Sequence, residues 1–373
     1  MRVALTVPHL VREFGGPAAK AAHLARSLRR LGWETEVIGC GEAEGATSLG
    51  TIGHFHSTPV PRRVAPIMEA VRRADVVHIL GYRDPVGTIA ALRARRLSVP
   101  YVLEPTGMYG PKLRSHRVKA VFEGAFGASI ISAASVMVAT SYLEQQDLFD
   151  GGVNERRVVL RPNGVSVDEL LPLPERGQFR RTLGIEPDAP LVLMIGRISL
   201  NKGLQGLLGA AASLEGVFFV VAGPDNEDGT LQSMQRKRKD LELADRFFII
   251  AGGVWGEEKR QALADADCFC LPSETESFGI AAAEAAAVGL PVVLSDRCGV
   301  MPWLEGGATR SFRFGDTEGL IEALGSLLAD PSSRDEAQRS ASSLRELFDW
   351  DAIAAQQEAI YRRVLEEMSP PTS

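Results

Sequence analysis

Two glutamates, Glu276 and Glu284, stand with seven residues between them in the run ESFGIAAAE. Gly279 precedes an alanine-rich stretch, so Glu276 reads as a loop residue and Glu284 as lying one to two turns into a helix. Two carboxylates at different heights beside a helix amino terminus can accept hydrogen bonds from one ligand. The N–H groups near Gly279, Ile280 and Ala281 would offer donors to an anion or a hydroxyl. A second constellation carries the opposite charge. After the apolar run PLVLMIG come Gly196, Arg197, Ile198, Ser199, Leu200, Asn201, Lys202 and Gly203. A guanidinium and an ammonium converging on one short loop would neutralise a diphosphate; the plain alternative is two solvated surface cations. A third loop, Phe14-Gly15-Gly16-Pro17-Ala18, leads straight into a helix. It lets backbone approach a ligand and offers helix N–H groups to an anion, but an ordinary turn pair would look the same.

Two patterns invite other chemistry. Asp265-Ala266-Asp267 has the spacing of a carboxylate pair that binds a divalent metal, but it falls where a helix ends and a buried strand begins, without further ligands. Asp265 is therefore expected to be exposed, Asp267 to be a turn residue, and no metal site is expected. Glu276 and Glu284 could also serve as the carboxylates of a glycosidase. That reading leaves Arg197 and Lys202 without a task.

Short apolar strands and amphipathic helices position these loops. RVALTV, ETEVIG, ADVVHI, PYVLE and ASVMVA read as strands, and so, later, do PLVLMIG, GVFFVVAG, RFFIIAGG, DCFCLPS and PVVLS. Between the first two lies AAKAAHLARSLRRL, with Ala21, Leu24, Ala25, Leu28 and Leu31 at helical spacing and Gly32 as its stop. Strands alternating with helices build parallel sheets covered on both faces. Pro172 and Pro174, in LLPLPERG, read as a linker between two such units. Three segments are expected: 1–167, 168–350, and a terminal helix and tail at 351–373 that packs back toward the first domain. The fold class is α/β, with two doubly wound Rossmann-like domains facing each other across a cleft. Ligands then bind at the carboxyl ends of the strands.

A chain of 373 residues exceeds what one core usually supports. The net charge of -6 is uneven: residues 1–167 carry 21 Lys+Arg against 14 Asp+Glu, whereas the remainder carries a balance of -13. The first half is thus suited to something anionic. The apolar start MRVALTV is too short for a signal peptide, and no run approaches the roughly 20 apolar residues of a spanning helix. Cys40, Cys268, Cys270 and Cys298 lack metal-ligand spacing, and Cys268 and Cys270 read as core residues. A reducing cytoplasm fits best.

Together these residues closely resemble family four of the retaining glycosyltransferases, which have the GT-B fold. The resemblance runs nearly the whole chain. It takes in Gly15-Gly16, Pro162-Asn163-Gly164-Val165, Gly196-Arg197 with Lys202-Gly203, Ala222-Gly223-Pro224, Gly253-Val254, and Glu276-x-Phe278-Gly279 with Glu284 and Gly289-Leu290-Pro291-Val292-Val293. It implies transfer of a sugar, with retention and without metal or other cofactor, from a nucleotide-diphospho-sugar to a hydroxyl of a glycan, glycolipid or small-molecule glycoside. Arg197 and Lys202 would hold the diphosphate, Glu276 the transferred sugar and Glu284 the ribose. Backbone groups of Phe278, Gly279 and Ile280 would complete the sugar site, the Gly15-Gly16 loop would close over the phosphates, and Gly253 and Val254 would meet the base.

The chain departs from the family where many relatives carry a histidine, here Thr106 in Glu104-Pro105-Thr106-Gly107-Met108. His9 and His78, at other strand ends, are candidates for the acceptor side together with Thr106. The basic stretch containing Lys112, Arg114, Arg117 and Lys119 is a candidate for peripheral contact with an anionic membrane at its inner face; an ordinary solvated helix is the alternative. Nucleic acid is not an expected partner. An epimerase of the same fold would consume a nucleotide sugar with no acceptor present, and a non-catalytic binding protein would show no turnover.

Overall fold

The computed structural model describes residues 1–11, 16–55, 58–110, 122–305 and 308–368. It divides into two compact units, Met1–Gly164 with Trp350–Ser373, and Val165–Asp349.

In the first unit the strands are β1 (Arg2–His9), β2 (Glu34–Cys40), β3 (Thr47–Ser48), β4 (Thr51–Phe55), β5 (Thr58–Pro61), β6 (Val76–Leu80), β7 (Tyr101–Glu104), β8 (Val136–Ala139) and β9 (Val158–Leu160). Among the described residues, β4 and β5 form a hairpin and the others a parallel sheet in the order β3-β2-β1-β6-β7-β8-β9. The order reverses between β1 and β6, which pair with Leu5 opposite His78. Both faces are covered, so the central strands read as unbroken apolar runs. Helix Gly16–Arg30 buries Ala21, Leu24, Ala25 and Leu28. Leu31, expected on that face, is exposed, because the helix has already ended. Gly32, at φ 87°, closes a Schellman motif: its N–H donates to Arg29 O and that of Trp33 to Leu28 O, both at 3.0 Å. The last helix, Trp350–Met368, buries Ala354, Ile360, Tyr361 and Val364 in the same core as β1. Its Trp350 ring stacks on His23 at 5.3 Å and fills the space that a side chain on Gly164 would need.

In the second unit the strands are β10 (Leu191–Ile195), β11 (Phe218–Ala222), β12 (Phe247–Ile250), β13 (Cys268–Leu271), β14 (Val292–Ser295) and β15 (Thr309–Phe312). They form a parallel sheet ordered β12-β11-β10-β13-β14-β15, which reverses between β10 and β13. At such a switch point the flanking loops diverge and leave a crevice at the carboxyl ends of the strands. The loops after β10 and β13 are the two with the charged constellations. Cys268 and Cys270 are buried in β13, and burial pushes both thiols up. The stretch around Pro172 is held by Arg260, whose Nε donates to Leu170 O at 3.1 Å and whose Nη2 donates to Pro172 O.

Candidate active site

The loop after β10 is fixed along its length. Gly196 N–H donates to Ala222 O (3.0 Å), Ile198 N–H to Pro224 O (2.9 Å) and Asn226 N–H to Ile198 O (3.1 Å). Gly223 allows this approach, since a Cβ on it would stand 1.7 Å from Gly196 O. The Asp228 carboxylate accepts from Leu200 N–H at 3.2 Å and from Thr230 N–H at 3.1 Å. Partial burial opposes its charge, but those hydrogen bonds outweigh it and hold the group at about 2. Gly203, at φ 64°, presses against β13, and a Cβ there would lie 1.9 Å from Pro272 O. The loop after β13 is tied in turn by Glu274 N–H to Asn201 O (2.9 Å), Glu276 N–H to Arg297 O (3.2 Å) and Gly299 N–H to Glu276 O (2.9 Å).

Two rigid loops therefore meet, and their side chains do too. Lys202 Nζ donates to Glu276 Oε2, both side chains being more than four-fifths buried. The lysine stem runs over Gly196, its Cε 4.0 Å from where a Cβ would be. Arg197, on the same loop, is exposed and has no side-chain partner among the described residues. Phe278 turns its ring into the core against Phe348 at 5.9 Å, and its carbonyl accepts from Val300 N–H at 2.6 Å. It offers the crevice no side chain. Gly279, at φ 101°, caps helix Ile280–Ala287. The first hydrogen bonds onto that cap come from Ala282 and Ala283 to Gly279 O, at 3.0 Å each, so the N–H groups of Gly279, Ile280 and Ala281 have no intrahelical acceptor.

Glu284 lies further along this helix, and Lys259 Nζ donates to its Oε2 at 2.6 Å. Lys259 belongs to helix Gly256–Asp265, which follows the turn at Gly252 and Gly253. Gly253 has φ 76°, Val254 is buried in the core, and Trp255 is 60% exposed with its indole N–H on Gly252 O at 3.1 Å. Lys259 and Trp255 were not singled out from sequence. A lysine inside a polar helix carries no signal of its acid partner 25 residues away.

The acidic decoy is corrected. Asp265 is fully buried, not exposed, and accepts from the N–H of Gly177 and of Arg180 (2.8 Å). Asp267 accepts from Arg176 (2.6 Å), Arg180 (2.7 Å) and Leu191 N–H (3.0 Å). Their oxygens are spent on capping and ion pairs. Among the described residues, no group of three or more His, Cys, Asp or Glu could hold a metal ion.

In the first unit Gly16 begins its helix, whereas Gly15 and the basic Lys112, Arg114, Arg117 and Lys119 lie outside the described residues. His9 ends β1, half-buried, with Nδ1 3.1 Å from Val11 O. His78 is a correction: it sits in the middle of β6, not at a strand end, and is fully buried. Its Nδ1 lies 2.6 Å from Tyr361 Oη and its Nε2 3.4 Å from Glu104 Oε2. Burial first, then the nearby Arg161 and Lys20, push its pKa well down, so it is neutral and closed to an acceptor. Around it Glu104 binds Arg161 (2.7 Å) and Lys20, and Lys20 also donates to Asn163 Oδ1. Thr106 follows β7 at φ 53°, a conformation that strains a β-branched residue, and its Oγ1 is buried without a hydrogen bond.

Comparison with known proteins agrees with this architecture. The two doubly wound units are those of GT-B glycosyltransferases. Anabaena HepE in complex with UDP-glucose superposes with a TM-score of 0.78 at 18% identity, covering 99% of this chain and 100% of that one. A glycosyltransferase from Rickettsia africae gives 0.78 at 16%, covering 98% of each. The model of Glycosyl transferases group 1 matches residues 175–343, and that of the Glycosyl transferase 4-like domain matches 15–164. D-inositol 3-phosphate glycosyltransferase of Xylanimonas cellulosilytica is 30% identical over 394 residues, 93% of this chain and 91% of the relative. Sulfoquinovosyl transferase of Arabidopsis thaliana is 28% identical over 381 residues, 94% and 71% respectively. The chain belongs to the group 1 glycosyl transferases and is a glycosyltransferase. Among the described residues, no helix is long and apolar enough to cross a membrane.

Proposed function

We propose that this glycosyltransferase takes its sugar from a nucleotide-diphospho-sugar, retains the anomeric configuration, and needs no divalent metal. The observation that carries this reading is the Lys202–Glu276 pair at the switch point between β10 and β13. An ammonium has three donors and a carboxylate two oxygens. Lys202 can therefore keep Glu276 Oε2 and still donate a hydrogen bond to a phosphate oxygen, while Oε1 accepts from sugar hydroxyls. Arg197, with no side-chain partner among the described residues, supplies the second positive charge. As the sugar–phosphate bond breaks, charge grows on the leaving diphosphate, and the two cations stabilise it more than they do the bound donor. That is the work a metal ion does elsewhere, which is why none is required here.

Glu284 then accepts from the ribose, and the turn at Gly253 and Val254 meets the base through its backbone, since Val254's side chain is spent in the core. The solved Anabaena HepE structures hold UDP or UDP-glucose, which supports a nucleotide-linked donor for this fold. The acceptor is a hydroxyl compound.

The test is turnover of nucleotide sugars with a panel of hydroxyl acceptors, read by proton NMR of the anomeric centre. The expected result is a product of the donor's own configuration, formed equally fast in excess chelator. An inverted product, or loss of activity in chelator restored by Mn²⁺, would overturn the corresponding part of the reading.

A further inference from the structure

Helix Ile280–Ala287 has the sequence IAAAEAAA, and Glu284 is its one polar side chain. Its neighbours Ala282, Ala283, Ala285, Ala286 and Ala287 are buried, so the helix lies close on the sheet and the carboxylate is left with 13% of its side-chain surface exposed. A carboxylate so shielded favours a defined partner over random hydration. Lys259, itself 19% exposed, reaches it from a different helix and takes Oε2 at 2.6 Å. Oε1 has no protein partner among the described residues. By holding one oxygen, the ammonium fixes the direction in which the other can accept. Lys259 is also one turn from the base-side turn, its N–H contacting Trp255 O at 3.4 Å. Helix Gly256–Asp265 and helix Ile280–Ala287 are joined by this ion pair.

We infer that Lys259 is a positioning residue that holds Glu284 as a ribose-hydroxyl acceptor and so sets a preference for ribonucleotide over deoxyribonucleotide donors. This rests on the reading that Glu284 binds the ribose. A hydroxyl donated to an oriented carboxylate is a charge-assisted hydrogen bond, and its loss weakens binding roughly tenfold to a hundredfold. A carboxylate free to rotate gives up most of that difference. A bridge that only ties two helices together would leave it unchanged.

The experiment is calorimetric titration of UDP, ADP and GDP and of their 2′-deoxy and 3′-deoxy counterparts into the wild-type chain, Lys259→Met and Lys259→Arg. The ratio of ribo to deoxy affinity is the readout, since it does not depend on how much of a variant is folded. Wild type is expected to prefer at least one ribonucleotide by about tenfold or more over a deoxy form. Lys259→Met should narrow that ratio to about threefold or less, and Lys259→Arg should restore it. An unchanged ratio in Lys259→Met overturns the inference and leaves the donor reading intact. Wild type that binds none of the three, or shows no ribose preference, overturns the placement of Glu284 on the ribose and the inference with it.

Discussion

Lys202 Nζ and Glu276 Oε2 are hydrogen-bonded across 74 residues of chain, one from the loop after β10 and one from the loop after β13. The two strands are adjacent in the sheet and begin the two opposite directions of winding. Their loops meet at the switch point, Glu274 N–H donating to Asn201 O at 2.9 Å, and the two side chains pair there. A neutral pair at the mouth of a crevice is well suited to a charged ligand, because neither partner is buried without compensation before the ligand arrives. In the proposed function, the exposed Arg197 then adds the charge that the pair lacks.

Gly203 tests how tightly this arrangement is held. Its φ of 64° disfavours any side chain, and a Cβ would overlap Pro272 O. Gly203→Ala should destabilise the fold by about 1–3 kcal/mol and displace Lys202. The urea midpoint, together with donor affinity, is the measurement. A variant that keeps both would show that the loop does not approach β13 this closely.

The buried polar cluster of the first unit makes a second, independent prediction. Lys20 is fully buried on Glu104 and Asn163, and its own pKa is pushed well down by burial and then by Arg161. Lys20→Met removes one charge from a closed network and leaves Asn163 Oδ1 without its donor. Breaking such a pair costs about 3–5 kcal/mol, whereas a surface ion pair is worth about 0–1. Chemical denaturation distinguishes the two, and a loss under about 1 kcal/mol would contradict the burial described.

Asp84 gives a pH dependence. It caps helix Pro85–Leu97, accepting from Gly87 N–H at 2.7 Å, and burial lifts its carboxyl to about 6. The folded chain then holds this proton more tightly than the unfolded one. Its contribution is full below about pH 4, declines between about 4 and 6, and stays lower above that. A gap of about two pH units is worth roughly 3 kcal/mol at most. Asp84→Asn keeps a capping oxygen and carries no charge, so it should remove this decline. Thermal melts at pH 4.5 and 8 should show the variant gaining more on wild type at the higher pH; an equal gain at both would refute the account.

What could be read from sequence followed from locality. A strand, a glycine-bearing loop and a helix start are contiguous, so the loops holding Lys202 and Glu276 could be placed at strand ends before any contact was known. Readings that turned on partners distant in sequence fared differently. Asp265 looked exposed because Arg180, 85 residues earlier, carries no mark of its role. His78 read as a strand-end residue, but the strand continues to Leu80 and the ring is paired with Tyr361, 283 residues on. Lys259 carries no local mark either, since its partner Glu284 lies 25 residues on. Leu31 failed more simply, since the helix stops one residue before it.

The most direct test of the central claim is calorimetric titration of UDP-glucose, ADP-glucose and GDP-mannose into wild type, Lys202→Met and Glu276→Gln. At least one nucleotide sugar should bind wild type. Lys202→Met should weaken it by about tenfold to a hundredfold, the loss of one charge-assisted hydrogen bond. Glu276→Gln should weaken the nucleotide sugar more than the matching nucleoside diphosphate, because in the proposed function Glu276 accepts from the sugar. Binding of no nucleotide sugar, or equal affinity in all three proteins, would contradict the assignment of this site.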